Sequence, residues 1–221
     1  MKTLVISGIS RGIGRATAEH FLQEGWRVIG TTTRGLPYVH ESLTAVPLDF
    51  TDENSVKAGV AQIRTISDSV NVLINNAGIH LFNEDETGDV LTVDTLQRVL
   101  AVNLVGAVAF TEPLLDKILQ GGHIISVSSG WGIMCEQRVD QSAPAYSISK
   151  AALGMYMKTL AARLKWKEVT VSALDPGWVR TEMGGMEAPR DPKEPAEELF
   201  RLATSVVPSG RMWHRGKETS W

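Results

Sequence analysis

Short apolar runs alternate with helix-length segments along most of the chain: Leu4–Ile6, Arg15–Glu24, Val28–Thr32, Glu53–Ser67, Val72–Asn75, Val93–Leu119, Ile124–Ser128, Ala145–Trp166 and Val169–Ala173. The short runs read as strands and the longer segments as helices, in the order β-α-β repeated. That order leaves few folds open. Parallel strands need crossovers, and the fixed right hand of those crossovers places helices on both faces of the sheet. The predicted fold class is α/β, a single-domain doubly wound parallel sheet over residues 1–221. Ligands of such sheets sit beyond the carboxyl ends of the strands, where the loops gather. The polar clusters discussed below all fall there.

Two stretches break the pattern. Residues Arg34–Pro47, with Pro37 near the start and Pro47 at the end, are too few for a full crossover helix, so a shortened helix or a loop is expected. From Gly184 onward Pro189, Pro192, Pro195 and Pro208 punctuate the chain around one helix, Ala196–Thr204. The expectation there is a substrate flap over residues 182–205, followed by a final strand.

Composition excludes several classes. The 43% apolar content supports a sizeable core, and 22 basic against 25 acidic residues lie scattered without blocks. Neither nucleic acid nor anionic membrane is an expected partner. The apolar run after Lys2 stops at Ser7-Gly8, too short for a secretion signal, and no stretch of eighteen or so apolar residues offers a membrane span. With Cys135 as the single cysteine, a reducing, cytoplasmic setting is expected, and Cys135 reads as a small hydrophobe rather than a nucleophile. His80 and His123 invite the idea of a general base or a metal ligand, but no His, Cys, Asp or Glu cluster has metal-ligand spacing, so no metal is expected; His20, His40 and His214 read as surface or loop residues.

Between the first strand and first helix lies Ser7-Gly8-Ile9-Ser10-Arg11-Gly12-Ile13-Gly14. Glycines here let the backbone turn sharply and approach a pyrophosphate, which then meets the positive end of the helix. The spacing G-x-x-x-G-x-G, with Thr17 where a last small residue is usual, meets the general dinucleotide pattern only in part. A tight strand–helix turn that needs glycines for geometry alone is the other reading. An acidic residue at the end of the second strand would hold the ribose 2′-hydroxyl of NAD, whereas an arginine accommodates the 2′-phosphate of NADP. This chain has Thr31-Thr32-Thr33-Arg34 there, plus Arg11 in the turn, so NADP(H) is expected in preference to NAD(H). Arg34 reads equally well as a solvated loop charge.

Tyr146 and Lys150 stand four residues apart, which on a helix brings their side chains to one face, about 5–6 Å apart at Cβ. A free phenol ionises near pH 10, and acid–base work near neutrality asks for about 4 kcal/mol of stabilisation of its anion. One ammonium at about 4 Å supplies roughly that at an effective dielectric near 20.

With these residues in order, the chain resembles the short-chain dehydrogenases/reductases from about Thr3 to Met183. Gly8–Gly14 resembles the family's phosphate loop, Asp49-Phe50 its acidic position near adenine, and Asn75-Asn76-Ala77-Gly78 its signature after the next strand. Asn103, Ser129, Tyr146 and Lys150 look like its catalytic tetrad. Pro176-Gly177-Trp178-Val179-Arg180-Thr181 is similar to the loop that passes the nicotinamide, where Val179 and Thr181 would contact the carboxamide. The run from Trp178 and the tail from Arg211 further resemble a subgroup of small carbonyl reductases similar to the bacterial C-signal protein. The resemblance implies a Rossmann fold and a reaction in which Tyr146 protonates a carbonyl oxygen, Ser129 hydrogen-bonds it, Lys150 also holds the nicotinamide ribose, and Asn103 fixes a water. Read without the family, Asn103 is an amide pairing with freed helix carbonyls. Ser129 lies seventeen positions before Tyr146, farther than in many members, which implies an insertion within Gly132–Ser142 and leaves Ser128, then Ser126, as competitors.

Trp131, Met134, Val139, Trp178, Met183 and Met186 fall in the loops expected above the nicotinamide, suggesting an apolar pocket for a small carbonyl compound or secondary alcohol. Several serve equally as core or interface residues. Two other functions fit parts of the pattern. A non-catalytic NADP-binding regulator would use the same fold, and a methyltransferase would use the glycine turn but leave the Tyr/Lys pair without purpose. The resemblance also implies a homodimer or homotetramer through Val93–Leu119 and Ala145–Trp166.

Overall fold

The computed structural model describes residues 1–36, 38–81, 91–135 and 142–221. Its strands are Thr3–Ile6 (β1), Arg27–Thr32 (β2), Leu43–Pro47 (β3), Val70–Asn75 (β4), Ile118–Val127 (β5), Thr170–Asp175 (β6), Arg211–His214 (β7) and Lys217–Thr219 (β8). They form one sheet in the order β3-β2-β1-β4-β5-β6-β7-β8, parallel throughout except for the antiparallel β7–β8 pair. The chain reverses its direction of winding between β1 and β4. Sheets wound this way bind ligands at that point, beyond the carboxyl edge.

Successive residues of β1 show why two layers of helix are required. Val5 belongs to the core beneath α2 (Glu53–Ile66), α4 (Ala107–Thr111) and α5 (Pro144–Leu164), which contribute Val60, Ile63, Phe110, Met157 and Leu160. Leu4 and Ile6 point the other way, to the core beneath α1 (Gly12–Gln23) and α6 (Lys193–Thr204), which contribute Phe21, Leu22, Leu199 and Leu202. Alternation of side chains along a strand buried on both faces produces this division.

The structure alters four expectations. Leu43–Pro47 is a strand, one that the sequence hides because it is an edge with a single buried side chain, Val46, and a terminal proline. No helix joins β2 to β3 among the described residues; Leu36 and Tyr38 pack on the α1-side core in its place. The long helix expected over Val93–Leu119 is a composite: α3 (Val93–Leu100), a π-helical turn Ala101–Gly106, α4, and a 3-10 turn Glu112–Leu114. Pro113 lacks the N–H that an α-helix would need, and the chain is in β5 by Ile118. By length and composition Val93–Leu114 would suffice to cross a membrane, yet Val99, Phe110 and Leu114 are wholly buried in this fold.

The fourth change concerns the tail. Within the expected 182–205 flap, α6 is a core helix whose Leu199 is completely buried, and Ala188 and Arg190 before it are buried too. Instead of one final strand there are two, and Trp221 folds back, donating from Nε1 to the Gly210 carbonyl at 3.1 Å and packing against Gly154 of α5.

Candidate active site

The glycine turn is shaped by close approach. A Cβ on Gly14 would lie 2.0 Å from the Gly8 carbonyl oxygen and 2.3 Å from Asn76 Nδ2, so no side chain is tolerated there. Gly12, at φ +56°, faces Thr181, whose Cγ2 would lie 3.2 Å from an added Cβ. The turn thus touches the loop after β6. Thr31 fastens it from β2, its carbonyl accepting from Gly8 and Ile9 N–H at 3.1 and 2.9 Å. Asn76 fastens it from β4, donating from Nδ2 to the carbonyls of Ser7 and Gly8 at 3.0 Å each. The Ser7 hydroxyl accepts from Asn76 and Ala77 N–H, also at 3.0 Å. At the start of α1, Arg11 makes no side-chain cap and the first turn holds no acidic residue. Free N–H groups and a positive helix end are what a phosphate requires. The residues present fit a dinucleotide.

Of the cations expected at the 2′ position, Arg11 pairs with Glu182 across the cradle, and Arg34 is exposed with its backbone tied to the Thr32 hydroxyl. Asp49 is engaged locally: Oδ1 accepts from Thr51 N–H and hydroxyl at 2.9 and 2.7 Å. Phe50 lies against Gly106 and edge-on to Phe110.

Around Tyr146 the expected tetrad converges. Tyr146 and Lys150 lie in the first turns of α5, and Ser129 follows β5, where its hydroxyl hydrogen-bonds the phenol. The same oxygen accepts from Trp131 N–H at 3.2 Å, which fixes the serine rotamer. Ser128 is buried and Ser126 Oγ is directed at Met157 Sδ, 3.0 Å away. Asn103 sits in the π-helical turn, a local widening often found at functional sites. Its amide does not pair with helix carbonyls. Oδ1 accepts from Ile79 N–H at 2.8 Å, and Nδ2 donates to Ile79 O at 2.9 Å and Ser149 Oγ at 3.0 Å. Gly78 closes the group, since a Cβ on it would stand 3.3 Å from Asn103 Oδ1 and 3.6 Å from Lys150 Nζ.

The electrostatics differ from the sequence expectation. Burial pushes the Tyr146 phenol up to about 12; the Ser129 hydrogen bond pulls it down and the Asp175 carboxylate pushes it further up. Lys150 is itself brought down to about 8 by burial. Its Nζ donates to the Val127 carbonyl at 2.9 Å and lies 5.4 Å from the centre of the Tyr146 ring. Desolvation of both groups therefore outweighs the charge effect that their spacing suggests.

Trp131 stands edge-on to Tyr146, ring centres 5.9 Å apart, and forms a wall of the site. Met134, Trp178, Met183 and Met186 are exposed on neighbouring loops, Trp178 being tied by Nε1 to Gly184 O at 2.6 Å. Val139 lies outside the described residues. His80, singled out in the sequence only as a histidine that invites a general base or a metal ligand, stands beside the phenol: its ring is 4.9 Å from Tyr146, edge-on, and 5.8 Å from Trp131. Its place two residues after Gly78, at a strand's carboxyl end, was the available signal. His214 is a β7 residue beside the Asp175 carboxylate, and His20 packs on Phe200, so neither is simply a loop group. Two open grooves of about 600 and 730 Å³ near Lys158 contain none of the expected site residues.

Comparison with known proteins agrees with this arrangement. Residues 2–191 match the family described as short chain dehydrogenase. An uncharacterized oxidoreductase, YxbG of Bacillus subtilis, is 32% identical over 225 aligned residues, covering 96% of this chain and 79% of that one. Among solved structures, the NADPH-bound carbonyl reductase from chicken fatty liver superposes with a TM-score of 0.89 at 26% identity, covering 100% and 94% of the two chains. An NADP-bound short-chain dehydrogenase/reductase from Burkholderia multivorans gives 0.87 at 27% identity, covering 100% and 99%. The chain belongs to the short-chain dehydrogenases, a family of nicotinamide-dependent oxidoreductases.

Proposed function

We propose that the protein is an NADP(H)-dependent carbonyl reductase of small, largely apolar ketones or aldehydes. The observation that carries this reading is the Tyr146 phenol, protonated well beyond neutral pH, hydrogen-bonded to Ser129 and set beside Lys150 at the sheet edge. A nicotinamide dinucleotide held in the glycine cradle would supply the hydride. Tyr146 gives its proton to the carbonyl oxygen, so that the two-electron reduction leaves an alcohol and a transient phenolate. Ser129 donates to the same oxygen as its charge develops. Lys150, held against Val127 O, faces Gly78 and Asn103 on the side where a ribose would lie. Trp131 and His80 form the wall nearest the reacting group, and the exposed Met134, Trp178 and Met183 supply an apolar rim.

The preference for NADP(H) rests on Arg11 and Arg34 and on the hydroxyls of Thr31 and Thr32, with no carboxylate at the end of β2. Steady-state kinetics with both cofactors test it. Arg11→Ala is expected to raise KM for NADPH about tenfold, the worth of one charged hydrogen bond, and to leave KM for NADH unchanged. An NADH preference that survives the substitution would refute the assignment. Exposed Val105 in the π turn and Ile148 and Met155 on α5 suit a homodimer of this chain, and exposed Cys135 suits a reducing, cytoplasmic compartment.

A further inference from the structure

The loop that would pass the nicotinamide is gripped from beneath by a charged residue with no direct part in the chemistry. After Val179 the chain makes an excursion and returns at Arg190, which pairs in parallel with Val179. Arg180 N–H donates to Arg190 O at 2.8 Å, and Arg190 N–H to Trp178 O at 3.4 Å. The Arg190 guanidinium then turns inward. Nη1 donates to the Pro176 carbonyl, Nη2 pairs with Glu198 of α6, and Nε reaches Glu194 at 3.3 Å. Arg190 is 4% exposed and Glu198 7%, so both charges have left water.

Burying such a pair is costly, and an apolar contact could hold a loop end as well. A guanidinium adds a planar fork that serves several acceptors in one fixed geometry. Here one acceptor is a backbone carbonyl of the cofactor loop itself. Among the described residues Glu198 Oε2 finds no hydrogen-bond partner, and Glu198 Oε1 pairs with Arg190. The same turn is held from its other side: His214 Nδ1 lies 3.0 Å from Asp175 O, and Asp175 Oδ1 accepts from Gly177 N–H at 3.0 Å. Gly177 takes φ +69°, a conformation that favours glycine, and an added Cβ would stand in ordinary contact with Arg190 Cδ and His214 Cε1, 3.4 Å from each.

We propose that Arg190 is a positioning residue: buried on Glu198, it holds the Pro176 carbonyl and presets the loop Pro176–Thr181 for the nicotinamide half of the cofactor. The proposal rests on the oxidoreductase reading above. Arg190→Lys keeps the charge and the pair with Glu198 but presents one donor point instead of a fork. Arg190→Met removes both, and Arg190→Lys serves if Arg190→Met fails to fold. The experiment measures dissociation constants of NADPH and of adenosine 2′,5′-bisphosphate, which carries only the adenosine half, together with turnover. NADPH binding is expected to weaken about ten- to a hundredfold in Arg190→Lys while bisphosphate binding stays as in the wild type. A purely structural role would weaken both probes together, and that result, or no change in either, overturns the proposal alone. Wild-type protein that binds neither NADPH nor NADH overturns the oxidoreductase reading and the proposal with it.

Discussion

At the residue scale, Lys150 shows how a functional group can oppose stability. Its folded pKa of about 8 lies below the ordinary 10.5, so the fold prefers the neutral amine. The charge penalty is therefore full below about pH 8 and lifts as pH rises from there to 10.5. It amounts to about 3 kcal/mol, offset by roughly 1 kcal/mol from the bond to Val127. Lys150→Met is accordingly expected to unfold at higher denaturant than the wild type at pH 7, by about 2 kcal/mol, while losing turnover. Equal or lower stability of the variant would show that the ammonium is better solvated than its burial implies. Spacing made the Tyr146–Lys150 pair legible, since a helix brings i and i+4 together whatever surrounds them. The depth of burial and the carbonyl that captures Nζ belong to β5 and could not be read from that spacing. Ser129 likewise stands on the phenol because of where β5 ends, which a count of intervening residues leaves open.

Elements were legible where they are long or buried on both faces and illegible where context decides. The buried strands and α1, α2 and α5 carry strong apolar patterns. β3 exists because β2 offers it an edge, and the π turn at Asn103 arises from packing that no periodicity records. Within the sheet, His123 of β5 faces Ser172 of β6 at 2.9 Å, and burial lowers its pKa from 6.5 to about 4. The folded protein thus keeps the imidazole neutral where the unfolded chain protonates it. Stability is lost as pH falls from 6.5 to 4, by about 3 kcal/mol from this group. Urea titrations across that range should show a shallower acid limb in His123→Gln than in the wild type. Superimposable limbs would mean that the strand pair opens to admit the proton.

For the whole molecule, the order of strands carries the functional argument. The winding reverses between β1 and β4, and the glycine turn, Asn76, Asn103, Ser129, Tyr146 and the Pro176 loop all emerge at that edge. Residues spread over most of the chain become neighbours because parallel strands end together. The reaction class was legible for this reason: once the fold is set, motif order determines who meets whom. The substrate was not, because the residues beside Tyr146, such as His80 and Trp131, come from loops whose positions follow no repeat.

The most direct test is NADPH consumption by purified protein over a panel of apolar ketones and aldehydes, with Tyr146→Phe measured alongside at equal cofactor occupancy. The wild type is expected to oxidise NADPH in the presence of a carbonyl substrate. The variant, which keeps the ring and loses only the hydroxyl, is expected to bind NADPH normally and turn over at least about a hundredfold more slowly. Tyr146→Phe turning over at the wild-type rate would contradict the account.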